Sequence, residues 1–301
     1  VIGALTLDQL RVLVAIEEAG SFSAAGRQLR RVQSAISHTI QGLEEVQGVQ
    51  LFDRSSRTPR LTDAGRTLVR QARQVLRQAD AFERTAKAMA AGLEPVLSIA
   101  LDSFVPSALI IHGLAGLQAQ FPELAVTLFT EGLGAAERRV REGSATLGLC
   151  ALMPAMVQDL QAAPLTEVNM VPVVAPTHPL AAETRAITRD LLAEHVQLIL
   201  TDPQQRPGPS FAVVSPRVWR FVDIARRLEF LLAGFGWGTM PRHLVEGHIA
   251  AGRLVQLPID DPAVLPGAVR LFAVHHTQRP LGVGARWLLA ELQRQGQSLA
   301  G

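Results

Sequence analysis

The chain has 301 residues, 48% hydrophobic and 19% charged, with a formal charge of +2 and one cysteine. That composition excludes a disordered or collagen-like chain and an internal disulfide framework, and its longest apolar runs, such as Ala145 to Met153, fall well short of the roughly 20 residues that span a bilayer. Residues 1–90 carry 13 basic and 9 acidic side chains and the remainder 16 and 18, so a modestly positive front end joins a slightly negative body, as in a nucleic-acid-binding head.

Leu7, Leu10, Leu13 and Val14 recur at helical spacing, and Gly20 marks the end of a first helix. Ser21 begins a short second helix with Phe22, Ala25 and Leu29 as its apolar positions. The small run Ala24-Ala25-Gly26 lets a third helix approach closely, and Arg30-Arg31 makes the turn. The third helix, Val32 to Val46, places Val32, Ile36, Ile40 and Leu43 on an apolar stripe with Ala35 and Thr39 beside it. Its opposite face holds Gln33, Ser34, Ser37, His38 and Gln41. An ordinary solvated face is rich in Glu and Lys. A face that enters a major groove needs amide, hydroxyl and imidazole groups that meet base edges, and must avoid carboxylates. The alternative is a plain polar surface.

Gly48 ends this helix, and Val49-Gln50-Leu51-Phe52 reads as a strand. Arg54, Arg57 and Arg60 follow in a hairpin with no acidic residue between Arg54 and Arg60. They suit a wing whose arginines reach phosphates or a minor groove. Arg27, Arg30 and Arg31 bracket the polar face from the other side. Thr62 then caps a long helix in which Leu68, Ala72, Val75, Ala79, Phe82, Ala86 and Met89 alternate at spacings of four and three, the period of a helix–helix seam. Such a rod, about 45 Å long, predicts a homodimer, whose paired heads match a palindromic site. A core helix of one compact domain is the competing reading.

Residues 5–66 resemble the DNA-binding domain of the LysR-type transcriptional regulators. The resemblance is carried by Leu10, Gly20-Ser21-Phe22-Ser23-Ala24-Ala25, Leu29, Gln33-Ser34-Ala35-Ile36-Ser37, Ile40, Leu43-Glu44, Gly48, Leu51-Phe52-Asp53-Arg54 and Leu61-Thr62-Asp63-Ala64-Gly65. The chain departs from the family pattern at Val32, usually Ser, at Ser34, often Pro, and at His38, often Arg. The missing Ser removes one phosphate or base contact, and His38 shifts base preference.

Beyond the break Gly92-Leu93-Glu94-Pro95, the sequence predicts a strand over Val96 to Leu101, a helix over Val105 to Gln120 and a strand over Ala125 to Thr130. A short helix (Gly134 to Arg141) and a strand (Ala145 to Cys150) follow, a βαβαβ rhythm that implies a parallel sheet. Pro164 to Val174 leads into a second set, with strands at Val196 to Leu200 and Val218 to Phe221 and a helix over Val222 to Leu232. Val269 to Val274 and a helix over Gly282 to Gln295 close the chain. This region resembles the family's effector-binding portion, two α/β lobes of the periplasmic-binding-protein kind. The matches are Val173-Val174-Ala175, His178-Pro179-Leu180 and Leu232-Ala233-Gly234-Phe235-Gly236-Trp237-Gly238-Thr239-Met240-Pro241.

The implied architecture is α/β: a winged helix-turn-helix over 5–61, a linker and dimerisation helix over 62–91, and a two-lobed effector domain over 92–301. Lobe I takes about 93–165 and 267–301, and lobe II about 166–266. Ligands of open parallel sheets bind beyond the carboxyl ends of strands. Those ends supply Asp102, Ser103, Phe104, Thr130, Glu131, Thr201, Asp202 and Val222, with Ser103 and Thr201 best suited to orient a small polar ligand. Each is otherwise an ordinary loop or capping residue. The acids Asp102 and Glu131 predict an effector that is neutral, phenolic or amine-bearing rather than a dicarboxylate, unless Arg206 or helix N-termini offset them.

The partners expected from the resemblance are double-stranded promoter or operator DNA, a small-molecule effector, a second copy of the chain (with tetramers built from dimers common in the family) and RNA polymerase. No cofactor, metal or membrane partner is expected. Val1 to Leu10 has no basic region followed by an apolar one, so no secretory signal is expected, and Cys150, in its apolar run, fits a reducing cytoplasm. A transport-type solute-binding protein would share the two-lobed body but not the helix-turn-helix. An enzyme is the other rival. The eight histidines are scattered, without an HExxH, a cysteine pair or a Gly-rich phosphate loop.

Overall fold

The computed structural model describes residues 5–53, 60–151, 159–202, 213–261, 264 and 267–299. It divides into two compact units, Val1–Ala90 and Ala91–Gly301.

In the first unit, α1 (Leu7–Ala19), α2 (Phe22–Gln28) and α3 (Gln33–Gln47) pack around one core. Thr6 opens α1 with a reciprocal cap: its hydroxyl accepts from the Gln9 amide (3.2 Å) while the Gln9 side chain accepts from its own N–H (2.9 Å). Gly20 closes α1 at φ 73°, and the Ser21 hydroxyl accepts from Ala24 N–H to start α2. Ile36, Ile40 and Leu43 of α3 are buried against Leu13, Phe22 and Val69. Val32 does not belong to that stripe. Its backbone is extended (φ −70°, ψ 147°), so the helical period starts only at Gln33, and its side chain is 70% exposed. Close approach of α2 to the turn before α3 needs Gly26, where a Cβ would lie 2.7 Å from the Arg31 carbonyl oxygen.

The strand expected over Val49 to Phe52 is shorter: β1 (Phe52–Asp53) pairs antiparallel with β2 (Arg60–Leu61). The incoming chain is held differently, because the Glu44 carboxylate of α3 accepts from the N–H groups of Leu51 (2.8 Å) and Phe52 (3.2 Å). Arg54 and Arg57 lie outside the described residues. From Thr62, whose hydroxyl accepts from Gly65 N–H at 2.9 Å, runs α4 (Asp63–Ala90), 28 residues and about 42 Å long. Its first turns bury Val69 and Ala72 in the core, and Arg73 ties it to Glu17 (2.6 Å) and Glu18 (3.2 Å) of α1. Farther along, Val75, Phe82 and Met89 are exposed, Phe82 by 76%.

The second unit follows as β3 (Val96–Asp102), α5 (Ser107–Gln120), β4 (Ala125–Glu131), α6 (Ala135–Glu142), β5 (Leu147–Cys150) and β6 (Leu160–Val174). After a 3-10 turn at Pro179–Ala182 come α7 (Arg189–Ala193), β7 (Gln197–Leu200), β8 (Val218–Phe221), α8 (Ile224–Leu232), β9 (Gly238–Pro241), α9 (Arg242–Ala250), β10 (Val255–Gln256), β11 (Ala268–His276) and α10 (Val283–Leu299).

The parallel sheet expected from the βαβαβ run is β4-β3-β5, and β7 and β8 form a separate parallel pair. In the first of these β11 pairs antiparallel with β5 and β6, and the full order is β10-β6-β11-β5-β3-β4, with β9 also on β6. The strand β6 is itself the crossing between lobes. Its first part, Leu160 to Asn169, pairs with β11, and its last, Met170 to Val174, with β9 and β10. The β6–β11 register shifts where Pro164, which has no N–H to give, faces Phe272. Lobe I buries Leu97, Ile99, Leu147 and Leu149 under α5 and α10, and lobe II packs Val173, Leu198 and Met240 with Leu231 of α8 and Val245 of α9. The Glu94 carboxylate accepts from Gly284 N–H (3.0 Å) and Ala285 N–H (2.6 Å), tying the segment before β3 to the start of α10.

Candidate nucleic-acid interface and inter-lobe cleft

On α3, Gln33, Ser34, His38 and Gln41 are exposed and Ser37 is half-buried. Ser34, Ser37, His38 and Gln41 lie on the side away from Ile36, Ile40 and Leu43, whereas Gln33, three residues before Ile36, is exposed in the helix's first turn. The carboxylate nearest to them in sequence, Glu44, is turned to the backbone of Leu51 and Phe52, which keeps the face rich in groups that donate and accept. No side chain caps the start of α3, because Val32 stands at the cap position. Arg30 occupies the turn before it at φ 56°, a left-handed conformation uncommon outside glycine. Arg31 is exposed but engaged: its Nη1 lies 2.7 Å from Asp8, holding that carboxyl below its usual range through the hydrogen bond they share. Arg27 donates to the Ser23 hydroxyl at 3.0 Å, and Arg60 is exposed on β2. Arg31 precedes the polar face and Arg60 sits on the hairpin that follows α3.

In the second unit the strand ends bring a different set together. Asp102, at the end of β3, is 2% exposed. Its Oδ2 accepts from Ala151 N–H at 3.2 Å, while Oδ1 is buried with no hydrogen-bond partner among the described residues. Burial pushes the carboxyl up to about 7, opposed by the Ala151 N–H and reinforced by the charge of Glu137. Asp202, just past β7, pairs with Arg138 of α6, an ion pair that joins lobe II to lobe I. Beside it, Gly132 of lobe I lies so close to Val222 of lobe II that a Cβ would meet the Val222 carbonyl oxygen at 3.0 Å. Ser103 is half-buried and its N–H donates to the Glu131 carbonyl (3.1 Å), while Thr201, also half-buried, donates to the Phe221 carbonyl (2.8 Å).

Three of the expected cleft residues stand differently. Phe104 is 8% exposed because it packs into the lobe I core with Leu97, Ile99 and Leu109. Glu131 is occupied by Arg139, whose guanidinium also stacks 4.1 Å from the Phe129 ring. Thr130, its neighbour on an edge strand, is exposed on the opposite face.

The sequence reading missed Glu137, Arg138, Arg141 and Asp159. Glu137 is buried on α6 and pairs with Arg141, which also holds Asp159 at 2.8 Å. Burial raises the Glu137 carboxyl, and the hydrogen bond from Arg141 lowers that of Asp159. The run Ala135-Ala136-Glu137-Arg138-Arg139-Val140-Arg141-Glu142 looks like a solvated helix, which hides a charged face packed under strand ends.

Cys150 is buried, and burial pushes its thiol well above the usual range. Among the described residues no cluster of three His, Cys, Asp or Glu could hold a metal ion, and no helix is long and apolar enough to cross a membrane.

Two family models match the chain: the bacterial regulatory helix-turn-helix protein of the lysR family over residues 7–66 and the LysR substrate binding domain over residues 90–297. The chain is similar to the probable HTH-type transcriptional regulator YhaJ of Escherichia coli, 34% identical over 254 residues, covering 83% of this chain and 85% of that one. It is also similar to the HTH-type transcriptional regulator AceR of Acinetobacter baumannii, 29% identical over 237 residues and 79% of each. Among solved structures, an OxyR mutant of Corynebacterium glutamicum shares the fold at a TM-score of 0.56 and 22% identity, covering 97% of this chain and 93% of that one.

Proposed function

The chain belongs to the LysR family of transcriptional regulators, and from that premise we propose that it binds operator DNA as a homodimer under the control of a small molecule held between its lobes. The observation that carries the DNA half is the composition of the exposed face of α3. Gln33, Ser34, Ser37, His38 and Gln41 read base edges in a major groove, and Arg31 and Arg60, with Arg54 and Arg57 of the sequence before β2, hold the phosphates.

Alanine at Gln33 or Ser37 is expected to relax sequence preference at a cost of about 1–3 kcal/mol, while alanine at Arg60 weakens all sequences alike and lowers the salt slope by about one. Gel shifts on operator and scrambled duplexes at several salt concentrations separate the two. Unchanged footprint and affinity in the Gln33 and Ser37 variants would show that this face does not read DNA.

The exposed Val75, Phe82 and Met89 of α4 favour a second α4 as partner. A carboxylate there would be buried unpaired between two helices, so Phe82→Asp is expected to halve the mass seen by light scattering and to weaken operator binding while circular dichroism is unchanged. Dimers that assemble further into tetramers, cytoplasmic location and contact with RNA polymerase follow from the same reading. So does the absence of catalysis.

Ser103, Thr201, Asp102 and Asp202 sit where two lobes meet at strand ends, the place where a ligand binds both and shifts their closure.

A further inference from the structure

We propose that the effector carries a cationic nitrogen, a protonated amine or amidine, and that Asp102 is the residue that selects it. The inference rests on the inter-lobe cleft being the effector site.

Nearly every buried acceptor in a folded protein has a donor, and one without a donor calls for an explanation. Asp102 Oδ1 is such an atom among the described residues. The structural duty at this position, accepting from Ala151 N–H, is met by Oδ2 alone. An asparagine would meet it without bringing a charge into the interior. The second oxygen is surplus to the fold.

The neighbouring charges leave the same gap. Arg141 serves Glu137 and Asp159, and Arg138 serves Asp202. Around these strand ends Glu137, Asp202 and Glu131 each have an arginine, while Asp102 has no ion-pair partner among the described residues. Glu137 and Asp202 both disfavour its charge, and Arg138 alone of this group favours it. A dicarboxylate would add negative charge to an acidic site. An ammonium or amidinium supplies the cation that Asp102 lacks among the described residues and three or four N–H donors, one for Oδ1.

Position adds to chemistry. Asp102 belongs to lobe I, and the acid next to it in the charge set, Asp202, comes from lobe II and is joined to lobe I through Arg138. A ligand cation meeting Asp102 therefore competes with or reinforces a contact that already links the lobes. Ser103 and Thr201, both half-buried at strand ends, orient the rest of the molecule.

The test is thermal unfolding of the full chain with benzylamine, benzamidine and hexylamine, against benzyl alcohol, hexanol, benzoate and hexanoate as neutral and anionic matches. The wild type is compared with Asp102→Asn, Ser103→Ala and Thr201→Ala. The amines and the amidine are expected to raise the melting temperature above their matched alcohols, and the carboxylates are not. In Asp102→Asn their affinity is expected to fall at least about tenfold, the loss of one charge-assisted hydrogen bond. If Asp102→Asn does not fold, shown by loss of the second unit's thermal transition, Asp102→Ser repeats the comparison with another acceptor for Ala151. Preference for alcohols or carboxylates, no stabilisation by any cation, or equal stabilisation of the Asp102 variants overturns the proposal. Alcohol or carboxylate binding that is lost in Ser103→Ala or Thr201→Ala means that only the ligand class is wrong. Responses indifferent to both substitutions mean that the cleft itself is not the site.

Discussion

Gly65→Ala is expected to unfold or severely loosen the DNA-binding unit while the second unit keeps its structure. Gly65 sits in the first turns of α4, where an added Cβ would lie 2.1 Å from the Leu51 carbonyl oxygen and 2.9 Å from Leu61 Cδ2. Neither neighbour can yield cheaply. The Leu51 carbonyl oxygen accepts from Thr62 N–H (3.0 Å), and the Leu51 N–H is held by Glu44 at 2.8 Å. Moving it detaches β1 from both α3 and the cap of α4. Helix propensity works the other way, since alanine is favoured over glycine by about 1 kcal/mol. Overlap with a fixed backbone atom is the larger effect, about 3 kcal/mol or more, so the net change is destabilising. In a unit of ordinary stability that loss is a large share of the whole. Urea unfolding followed by circular dichroism is expected to resolve an early transition for the head, and operator binding is expected to disappear with it. A single unshifted transition would mean that α4 can move aside at little cost.

How far the sequence foretold the molecule depends on the range over which each residue acts. The head was legible because its signals are local. Period, caps and glycines lie within a turn or two of what they specify, so α1 to α4 fall within a residue or two of their expected ends. Val32 shows the limit, since the apolar period runs one residue past the backbone's turn into α3. Glu44 shows another, because nothing in the spacing says that a carboxylate on α3 will be claimed by Leu51 and Phe52.

In the body, β3, β4 and β5 were legible from alternating strands and helices, but β6 and β11 pair across about a hundred residues of chain. No local pattern encodes that antiparallel ladder. The cleft was half legible for the same reason. Strand ends are read from hydrophobic runs, which gave Asp102, Ser103, Thr201 and Asp202. Which side chain faces inward depends on packing, which sent Phe104 to the core and Thr130 to an outer edge. Asp202 pairs with Arg138, and 64 residues separate the two. A helix of alternating charge gives no sign that one of its arginines will reach another lobe.

Stability of the second unit is expected to fall as pH rises from about 4 to about 7, and Asp102→Asn is expected to remove a large part of that fall. The sign follows from linkage. The Asp102 carboxyl titrates near 3.8 when the chain is unfolded and near 7 when burial surrounds it. Between those values the unfolded chain has lost a proton that the folded one retains, so each step upward in pH favours unfolding; below both values and above both, the group contributes no slope. The full effect of one such group is on the order of 4 kcal/mol. Glu137, also raised by burial, pulls in the same direction. His178 and His243 are lowered by burial and pull the opposite way as they lose their protons. All three are common to wild type and variant, so the difference between the two urea-unfolding curves across this range isolates Asp102. Parallel curves would place the carboxyl in water or in a compensating ion pair. A cationic effector reverses the slope for the complex, because it binds the ionised acid and expels the proton. Its affinity is therefore expected to climb through pH 6 to 7 and level off above. A neutral ligand that accepts the acid's proton in a hydrogen bond would weaken over the same interval.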